Sequence, residues 1–325
     1  MNEFELIDRF FTRPPRGAGV RLGVGDDAAL IAPSPGHELA VSVDMLVAGR
    51  HFAHGVDPEA LGHKTLAVNL SDVAAMGATP RWAFLAGALP QADAAWLGAF
   101  ARGFFALADA HAVDLLGGDT TQGPLNLCVT IMGELPTGQA LLRSGARARD
   151  DVYVSGTLGS AALALAVAAG RADLPEDALA RCRARLDRPT PRVALGLALR
   201  GVASSAIDVS DGLTGDLGHV LERSGVGARI DIAAVPRSAT LDALLASEAR
   251  TVGLACLLAG GDDYELCFTA ASANRDAVHA AAVHAGVAVA RIGTITTGKE
   301  LVVIDENGGM LRSPPRAFDH FGTAG

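Results

Sequence analysis

Cysteine, aromatic residues and positive charge are all scarce in this sequence of 325 residues. Four cysteines occur without a CxxC pair, which disfavours both a disulfide framework and a cysteine-rich zinc site and fits a reducing cytoplasm. Aromatic residues make up only 5% of the chain, so an aromatic-rich β-sandwich is not expected. No apolar run is long enough to span a bilayer, and the N-terminus lacks the basic start of a signal peptide. We therefore expect a cytoplasmic protein with no membrane partner.

The charge balance argues against a nucleic-acid partner. The formal net charge is −9, and Lys and Arg never form a run longer than two residues. A protein that tracks a phosphate backbone needs a basic patch or stripe. Any anionic ligand must therefore be held by a few local groups or through metal ions.

Hydrophobic residues make up 50% of the chain, and glycine is frequent, with 38 residues. This composition and length predict two α/β domains with a core of Ala, Val and Leu. Residues 136–151 have no sustained period and are rich in Arg, Gly and acids, so we place the domain junction there. We predict an N-terminal domain over 1–137 and a C-terminal α/β domain over 138–325.

Alternating strand and helix patterns along the sequence support the α/β class. Strands are predicted at 38–44, 81–89, 113–116, 125–133, 204–209, 228–232, 265–269, 287–292 and 301–304, and helices at 58–76, 93–111, 158–169, 191–200 and 213–224. A glycine-rich turn is expected between the strands at 113–116 and 125–133. A Gly-Gly-Asp triplet precedes a strand in each half, which is compatible with internal duplication or with chance.

A group of aspartates interrupts or follows apolar runs and is flanked by glycine or serine. These residues are Asp26, Asp27, Asp44, Asp72, Asp119, Asp208, Asp211, Asp262 and Asp263. An ionised carboxylate beside apolar neighbours requires compensation, and the chain contains only two lysines. Divalent hard cations such as Mg²⁺ take carboxylate and hydroxyl oxygens and share phosphate ligands with a substrate.

Helix capping is the alternative role for each of these aspartates. It suits Asp211, which precedes a helical pattern, better than Asp72, which lies late in the predicted helix 58–76. So many aspartates in one setting favour a joint metal or phosphate site. No P-loop or dinucleotide fingerprint is present. Arg143 is either a solvated linker residue or a bidentate phosphate ligand.

Several motifs together resemble the thiamine-monophosphate kinase family over residues 23–321. They are GVGDDAAL, SVDMLVAGRHF, NLSDVAAMGATP, LLGGDT, DVSDGL, GGDDYELCFT and FDHF. That family transfers the γ-phosphate of ATP to thiamine monophosphate. The resemblance implies a PurM-like two-domain α/β fold. In it the N-terminal domain binds ATP and magnesium, and its sheet pairs across a homodimer into a barrel. The C-terminal domain closes the active-site cleft.

The resemblance also implies site residues. Several Mg²⁺ ions would be held by Asp27, Ser42, Asp44, Asp72, Asp119, Asp208 and Asp211. ATP would contact Gly118, Asp119, Arg143 and Ser210, and thiamine monophosphate would contact His51, Glu265 and Phe318. Phe321 is an alternative to Phe318, because the tail departs from the family pattern there. No residue is expected to act as a general base.

Related enzymes share part of these motifs. Aminoimidazole ribonucleotide synthetase is disfavoured by DMLVAGRHF and FDHF, selenophosphate synthetase by the absence of Cys and Lys in residues 1–25, and HypE by the absence of a terminal cysteine. A structural cation-binding protein would need the acids alone. It would not need Arg143, Glu265 or the terminal aromatics.

Overall fold

The computed structural model describes residues 2–17, 19–311 and 315. The chain divides into two compact units. Unit 1 comprises Met1–Val73 and Ala78–Ala140, and unit 2 comprises Ala74–Gly77 and Leu141–Gly325. The predicted boundary at 137/138 stays a prediction. No helix in the described part of the chain combines the length and the apolar character that crossing a bilayer requires.

Unit 1 contains one main sheet, two long helices and a short N-terminal helix. Its helices are α1 (Glu3–Phe10), α2 (Pro58–Ala75), whose last two residues belong to unit 2, and α3 (Ala94–Ala110). Its strands are β1 (Val20–Leu22), β2 (Leu30–Ile31), β3 (His37–Val47), β4 (Thr79–Leu89), β5 (Asp114–Gln122) and β6 (Asn126–Pro136). The four-stranded sheet has the order β3-β6-β4-β5, so β3 lies at one edge.

Strand β3 has two different faces because its side chains alternate across the sheet. Ser42 and Asp44 lie on one face and are partly buried. The opposite face carries an exposed row of four apolar side chains: Leu39, Val41, Val43 and Met45. The register is set by antiparallel pairing with β6 along the whole strand, from His37 opposite Pro136 to Val47 opposite Asn126.

Helices α2 and α3 approach each other closely at two glycines. A Cβ atom on Gly62 would lie 2.0 Å from the carbonyl oxygen of Phe100, and one on Gly103 would lie 1.8 Å from that of Glu59. Both distances are far below van der Waals contact, so any larger residue would push the helices apart. Helix α2 is buried along most of its length, including Leu66 and Leu70.

Unit 2 is built on a six-stranded sheet with the order β12-β9-β11-β7-β10-β8. Its strands are β7 (Asp150–Ser155), β8 (Ser205–Val209), β9 (Gly227–Asp231), β10 (Glu265–Ala271), β11 (Val289–Thr296) and β12 (Leu301–Ile304). Its helices are α4 (Ser160–Ala168), α5 (Glu176–Asp187), α6 (Val193–Ala198), α7 (Leu213–Ser224), α8 (Ala239–Leu245), α9 (Arg250–Ala259) and α10 (Arg275–Ala285). All neighbouring strands are antiparallel except β12 and β9. Buried Ala, Val, Leu and Ile form its core.

The α/β class is confirmed, and most predicted elements are present with shifted ends. The predicted glycine-rich turn after residue 116 is wrong, because Gly117–Gln122 continue β5 in parallel pairing with β4. Backbone pairing overrides the weak strand propensity of glycine there. Helices α1, α5, α8, α9 and α10 were missed. They are short or rich in charged and small residues, so their helical period is weak.

Replacing Gly103 with Ala should destabilise unit 1, because the new methyl group would collide with the backbone of α2. We expect the free energy of unfolding to fall by about 1–3 kcal/mol, measured by urea denaturation. Gly98 on the same helix is the matched control, since a Cβ there would make ordinary contact, 3.6 Å from Phe10. Gly98→Ala should raise stability by about 0.5–1 kcal/mol. Equal effects of the two changes would contradict this account of the helix crossing.

Candidate active-site residues

Strand β3 and helix α2 bring three predicted metal ligands into one place. Ser42 Oγ donates a hydrogen bond of 2.5 Å to Asp72 Oδ2, and Asp44 lies two residues further along the same face of β3. The backbone N–H of Asp44 donates to Asn69 Oδ1 of α2 at 3.2 Å. We call Ser42, Asp44, Asn69 and Asp72 the strand–helix cluster. It presents carboxylate, hydroxyl and amide oxygens, the atoms that hard cations prefer.

The position of Asp72 follows from the helical period of α2. Its sequence neighbours Ser71 and Val73 are buried, whereas Asp72 is only partly buried. Asn69 lies three residues earlier and therefore on the same side of the helix. Asp72 thus lies with Asn69 in a polar row near the end of α2, and it faces Ser42 of the sheet.

His51 lies in the turn that follows β3. Its ring Nδ1 accepts a hydrogen bond of 3.0 Å from the backbone N–H of Val47, and the residue is partly buried. This bond assigns the imidazole proton to Nε2 when the ring is neutral. His51 is thereby held in a defined orientation in the loop next to β3.

A cavity of about 610 Å³ in unit 1 brings together a second group of predicted residues. Asp26 and Asp27 line it from the loop between β1 and β2, and Gly118 and Asp119 line it from β5. The remaining wall is largely apolar and includes Phe4, Ile7, Phe11, Phe84, Trp96, Leu97, Phe100 and Leu115. The volume suits a small molecule with an apolar part, and the carboxylates suit a metal ion or another cationic group.

In unit 2, the end of β8 and the loop after it carry three predicted site residues. Asp208 is buried at the end of the strand, and Ser210 and Asp211 are partly buried. The carboxylate oxygen Oδ2 of Asp216 accepts hydrogen bonds from the backbone N–H groups of Ser210, Asp211 and Gly212, at 3.0, 3.0 and 3.1 Å. Burial raises the pKa of Asp216 to about 7, against the opposing effect of these donors.

Glu265 is fully buried, and its carboxylate is bound within unit 2. It accepts hydrogen bonds from Ser155 Oγ at 2.6 Å, Arg185 at 2.6 Å and Arg192 Nε at 2.6 Å. Glu265, Arg185 and Arg192 form a charged trio. Its net charge is +1, because two guanidinium groups share one carboxylate. The geometry therefore offers Glu265 a second role, as an anchor for the two arginines. Its predicted contact with thiamine monophosphate stays a prediction.

Asp263 in the motif GGDDYEL is buried beside this group. Its Oδ2 accepts a hydrogen bond of 2.7 Å from the backbone N–H of Gly159, and its Oδ1 has no partner among the described atoms. Burial raises the pKa of Asp263 well above its usual value. Capping of helix α4, which follows Gly159, accounts for the first of these contacts.

The remaining predicted site residues are Arg143, Phe318 and Phe321. Arg143 is exposed in the segment before β7, where its backbone carbonyl accepts a bond of 3.3 Å from Ser224 Oγ. Phe318 and Phe321 lie outside the described residues. Among the described residues, no group of three His, Cys, Asp or Glu side chains is close enough to hold a metal ion. The predicted acids therefore do not form a preassembled cage, although their oxygen atoms suit magnesium, which retains water and takes phosphate ligands.

Several residues of these groups were not predicted from the sequence. Asn69 had a detectable signal, since it stands three positions before Asp72 in a helical pattern. Arg185 and Arg192 had none, because they lie 80 and 73 residues from Glu265. Asp216 was overlooked because an acid in the first turn of a helix is ordinary. The apolar wall of the cavity depends on α1, a helix that the sequence pattern did not indicate.

Comparison with known protein families gives two matches that together span most of the chain. Residues 25–135 match the AIR synthase related protein, N-terminal domain, and residues 138–306 match the corresponding C-terminal domain. The chain is 45% identical to the thiamine-monophosphate kinase of Salmonella typhimurium, over 99% of this chain and 98% of that protein. It is 33% identical to the thiamine-monophosphate kinase of Bacillus subtilis, over 99% of this chain and 100% of that protein.

Solved structures show the same relationship. The crystal structure of thiamine-monophosphate kinase from Stenotrophomonas maltophilia is 50% identical, with a TM-score of 0.84 over 93% of this chain and 96% of that one. AaThiL complexed with AMPPCP and TMP is 28% identical, with a TM-score of 0.77 over 89% of each chain. Escherichia coli HypE, at 21% identity and a TM-score of 0.76 over 97% and 95% of the two chains, shares the fold.

Replacing Glu265 with Gln should destabilise unit 2, because Arg185 and Arg192 would lose their buried counter-charge. We expect the free energy of unfolding to fall by about 3 kcal/mol, the low end for a broken buried ion pair, since both arginines retain some solvent contact. Urea denaturation measures this. The exposed pair Asp177–Arg181 on α5 is the control, and Asp177→Asn should leave stability unchanged. A Glu265→Gln protein as stable as the wild type would show that the trio contributes little to folding.

Proposed function

The chain belongs to the thiamine-monophosphate kinase family, and we propose from that premise that it transfers the γ-phosphoryl group of ATP to thiamine monophosphate. The products are thiamine diphosphate and ADP, so the reaction completes the synthesis of thiamine diphosphate. Within the chain itself, the supporting observation is the cavity of unit 1. It brings Asp27, Gly118 and Asp119 together from two separate elements.

Another ATP-using enzyme of the same fold is not favoured. The HypE structures share the architecture at about one fifth sequence identity, which speaks for fold alone. The kinases match at 45% over nearly the whole chain. The proposed substrate therefore rests on whole-chain similarity and on motifs such as DMLVAGRHF.

The acceptor chemistry explains why no general base is required. The phosphate of thiamine monophosphate is already an oxyanion at neutral pH, unlike the hydroxyl acceptor of a protein kinase. The main barrier is electrostatic, because ATP brings about four negative charges and the acceptor about two. The protein's task is to align donor and acceptor and to offset that repulsion in a chain that is itself acidic.

We propose that magnesium ions are held by the predicted carboxylate and hydroxyl ligands. In unit 1 these are Asp27, Asp119 and the strand–helix cluster residues Ser42, Asp44 and Asp72, and in unit 2 they are Asp208 and Asp211. Bound Mg²⁺ would supply the positive charge that lets phosphate groups approach these carboxylates, and the total charge calls for at least three ions. The donors are all oxygen atoms, which fits magnesium better than zinc.

The same reading assigns the remaining predicted residues to the two substrates. Gly118 and Asp119 of the unit 1 cavity would contact the nucleotide, together with Ser210 and Arg143 of unit 2. His51, whose Nδ1 is already bound to the backbone, would offer Nε2–H to the acceptor phosphate. Phe318 would stack on a ring of the thiamine cation. Glu265 would act either on the thiamine or through Arg185 and Arg192.

We also propose that the protein is a homodimer that pairs through the exposed face and edge of β3. The side chains of Val41, Val43 and Met45 are each more than half exposed, at 55%, 57% and 52%. A contiguous apolar row on an edge strand is normally covered by a partner. A second copy of the chain is the partner that the family resemblance implies.

We place the protein in the cytoplasm. All four cysteines are free thiols, and three of them are buried in unit 2. Free buried thiols are typical of reducing compartments.

The direct test is an assay with purified protein, ATP, Mg²⁺ and thiamine monophosphate. Chromatography should show thiamine diphosphate and ADP formed in equal amounts, and no thiamine diphosphate when EDTA is present. ATP hydrolysis without thiamine diphosphate, across a range of Mg²⁺ concentrations, would exclude the kinase assignment. Selenide or a ribonucleotide amide as the productive co-substrate would instead support a related enzyme.

Asp72→Asn should lose activity and keep its fold. The amide oxygen of Asn can still accept the hydrogen bond from Ser42, but it lacks the charge that a magnesium ligand needs. We expect kcat/KM to fall by about 100-fold or more, measured as thiamine diphosphate formed per unit time. The control is Asp109→Asn on α3, a salt-bridged surface acid, which should retain activity. A near wild-type rate for Asp72→Asn would remove Asp72 from the proposed metal site.

Val43→Lys should dissociate the dimer, because a charge in the middle of the apolar row cannot be buried without a partner. Light scattering coupled to size-exclusion chromatography should show a dimer for the wild type and a monomer for the variant. Val283 on α10 is the matched control, since it is an exposed valine of unit 2 at 67% exposure. Val283→Lys should leave the dimer intact. A monomeric wild-type protein would refute the β3 interface.

A further inference from the structure

The loop after β8 is held by a residue that no predicted role includes. Three successive backbone N–H groups, those of Ser210, Asp211 and Gly212, all point to the single oxygen Oδ2 of Asp216. Three donors converge on one carboxylate oxygen only if the backbone curls around it. The side chain of Asp216 therefore defines the path of these three residues.

Helix capping explains only part of this arrangement. Asp216 lies in the first turn of α7, and its bond to the N–H of Gly212, the N-cap residue, resembles the return bond of a capping box. The other two N–H groups, on Ser210 and Asp211, lie outside the helix. A side chain that served the helix alone would accept bonds from the amides of its first turn.

The opposite side of the loop is held by the backbone of the GGDD motif. Asp262 N–H donates to the carbonyl of Ser210 at 2.9 Å, and Tyr264 N–H donates to that of Val209 at 2.9 Å. A Cβ atom on Gly261 would lie 2.2 Å from the carbonyl oxygen of Ser210, so only glycine permits this approach. The loop is thus fixed from both sides, by Asp216 and by residues 261–264.

Asp216 itself has almost no surface with which to bind a substrate, since it is 3% exposed. Ser210 and Asp211 are more accessible, and they are the residues assigned to ATP and magnesium. A ligand-bearing loop with a fixed backbone loses less conformational freedom on binding.

We propose that Asp216 is a positioning residue that orients Ser210 and Asp211 for the magnesium–nucleotide complex through these three backbone hydrogen bonds. The inference rests on the proposed function of Ser210 and Asp211. It assigns the GGDD backbone a second role as the opposite wall of the loop. It also gives Asp216 a function that depends on its acceptor oxygen rather than on contact with the nucleotide.

The test compares Asp216→Ala with Asp216→Asn by calorimetric titration with Mg²⁺ and AMPPCP, an ATP analogue. Asp216→Ala removes the acceptor, and we expect the affinity to fall by about tenfold or more. Asn keeps an acceptor oxygen at the same distance, so Asp216→Asn should bind within about threefold of the wild type. Hydrogen exchange of the amides of residues 210–212 should be faster in Asp216→Ala and close to wild type in Asp216→Asn.

Asp305 supplies the matched control. Its Oδ1 accepts backbone N–H bonds from Asn307 and Gly309, at 2.9 and 2.8 Å, in a turn of unit 2 that carries no proposed site residue. Asp305→Ala should leave the affinity for the magnesium–nucleotide complex unchanged even if it lowers the melting temperature. If Asp216→Ala does not fold, Asp216→Ser takes its place, because a short hydroxyl cannot reach all three amides.

The outcomes of these experiments distinguish the positioning role of Asp216 from the proposed kinase function. A folded Asp216→Ala protein that binds AMPPCP as tightly as the wild type would overturn the positioning role. An equal loss in Asp305→Ala would do the same, because it would trace the effect to general destabilisation. A wild type that binds Mg²⁺ and AMPPCP but does not phosphorylate thiamine monophosphate would refute the proposed function and leave the positioning test intact. A wild type that binds no nucleotide would overturn both.

Discussion

Negative charge inside an apolar fold is the constraint on which much of this structure depends. A carboxylate that leaves water must receive compensating charge or hydrogen-bond donors, and the chain supplies these in different ways. Asp151 is held by Arg275 and Arg291, and their hydrogen bonds keep its pKa below the usual value despite burial. Glu265 is bound by two arginines, whereas Asp216 is bound by backbone N–H groups.

This division separates the acids that hold the fold from those proposed to bind ligands. Arginine-paired acids such as Asp151 connect elements of the unit 2 sheet to each other and to α10. Asp72 instead accepts a bond from a hydroxyl, and Asp27 and Asp119 line a cavity. Hydroxyl and carboxylate oxygens of this kind are the ligands that a hard cation prefers.

Backbone hydrogen bonds and close backbone contacts are the second constraint on the structure. The loop with Ser210 and Asp211 has no regular structure of its own, yet Asp216 and the GGDD backbone hold it from both sides. The two glycine-containing motifs, DVSDGL and GGDDYEL, are separate segments of the sequence. In the structure they are the two halves of one arrangement, because Gly261 allows the backbone of one to lie against the backbone of the other.

The sequence by itself determined the α/β class, the long elements β3, α2, β4, α3 and β6, and the family. These follow from local periods and from motifs whose residues are adjacent in the chain. It also singled out Asp72, because an acid late in an apolar helix lacks a local explanation. The short helices of unit 2 escaped detection, since tertiary packing rather than period or propensity stabilises them.

Only the tertiary structure decided which distant residues meet. The pairing of Ser42 with Asp72, the enclosure of Glu265 by Arg185 and Arg192, and the apolar wall opposite Asp27 and Asp119 join residues far apart in the chain. Such contacts depend on sheet register and on how helices pack, which a single sequence does not encode in any local pattern. The sequence therefore identifies the chemical groups. The fold decides which of them lie together in a site and which stabilise the structure.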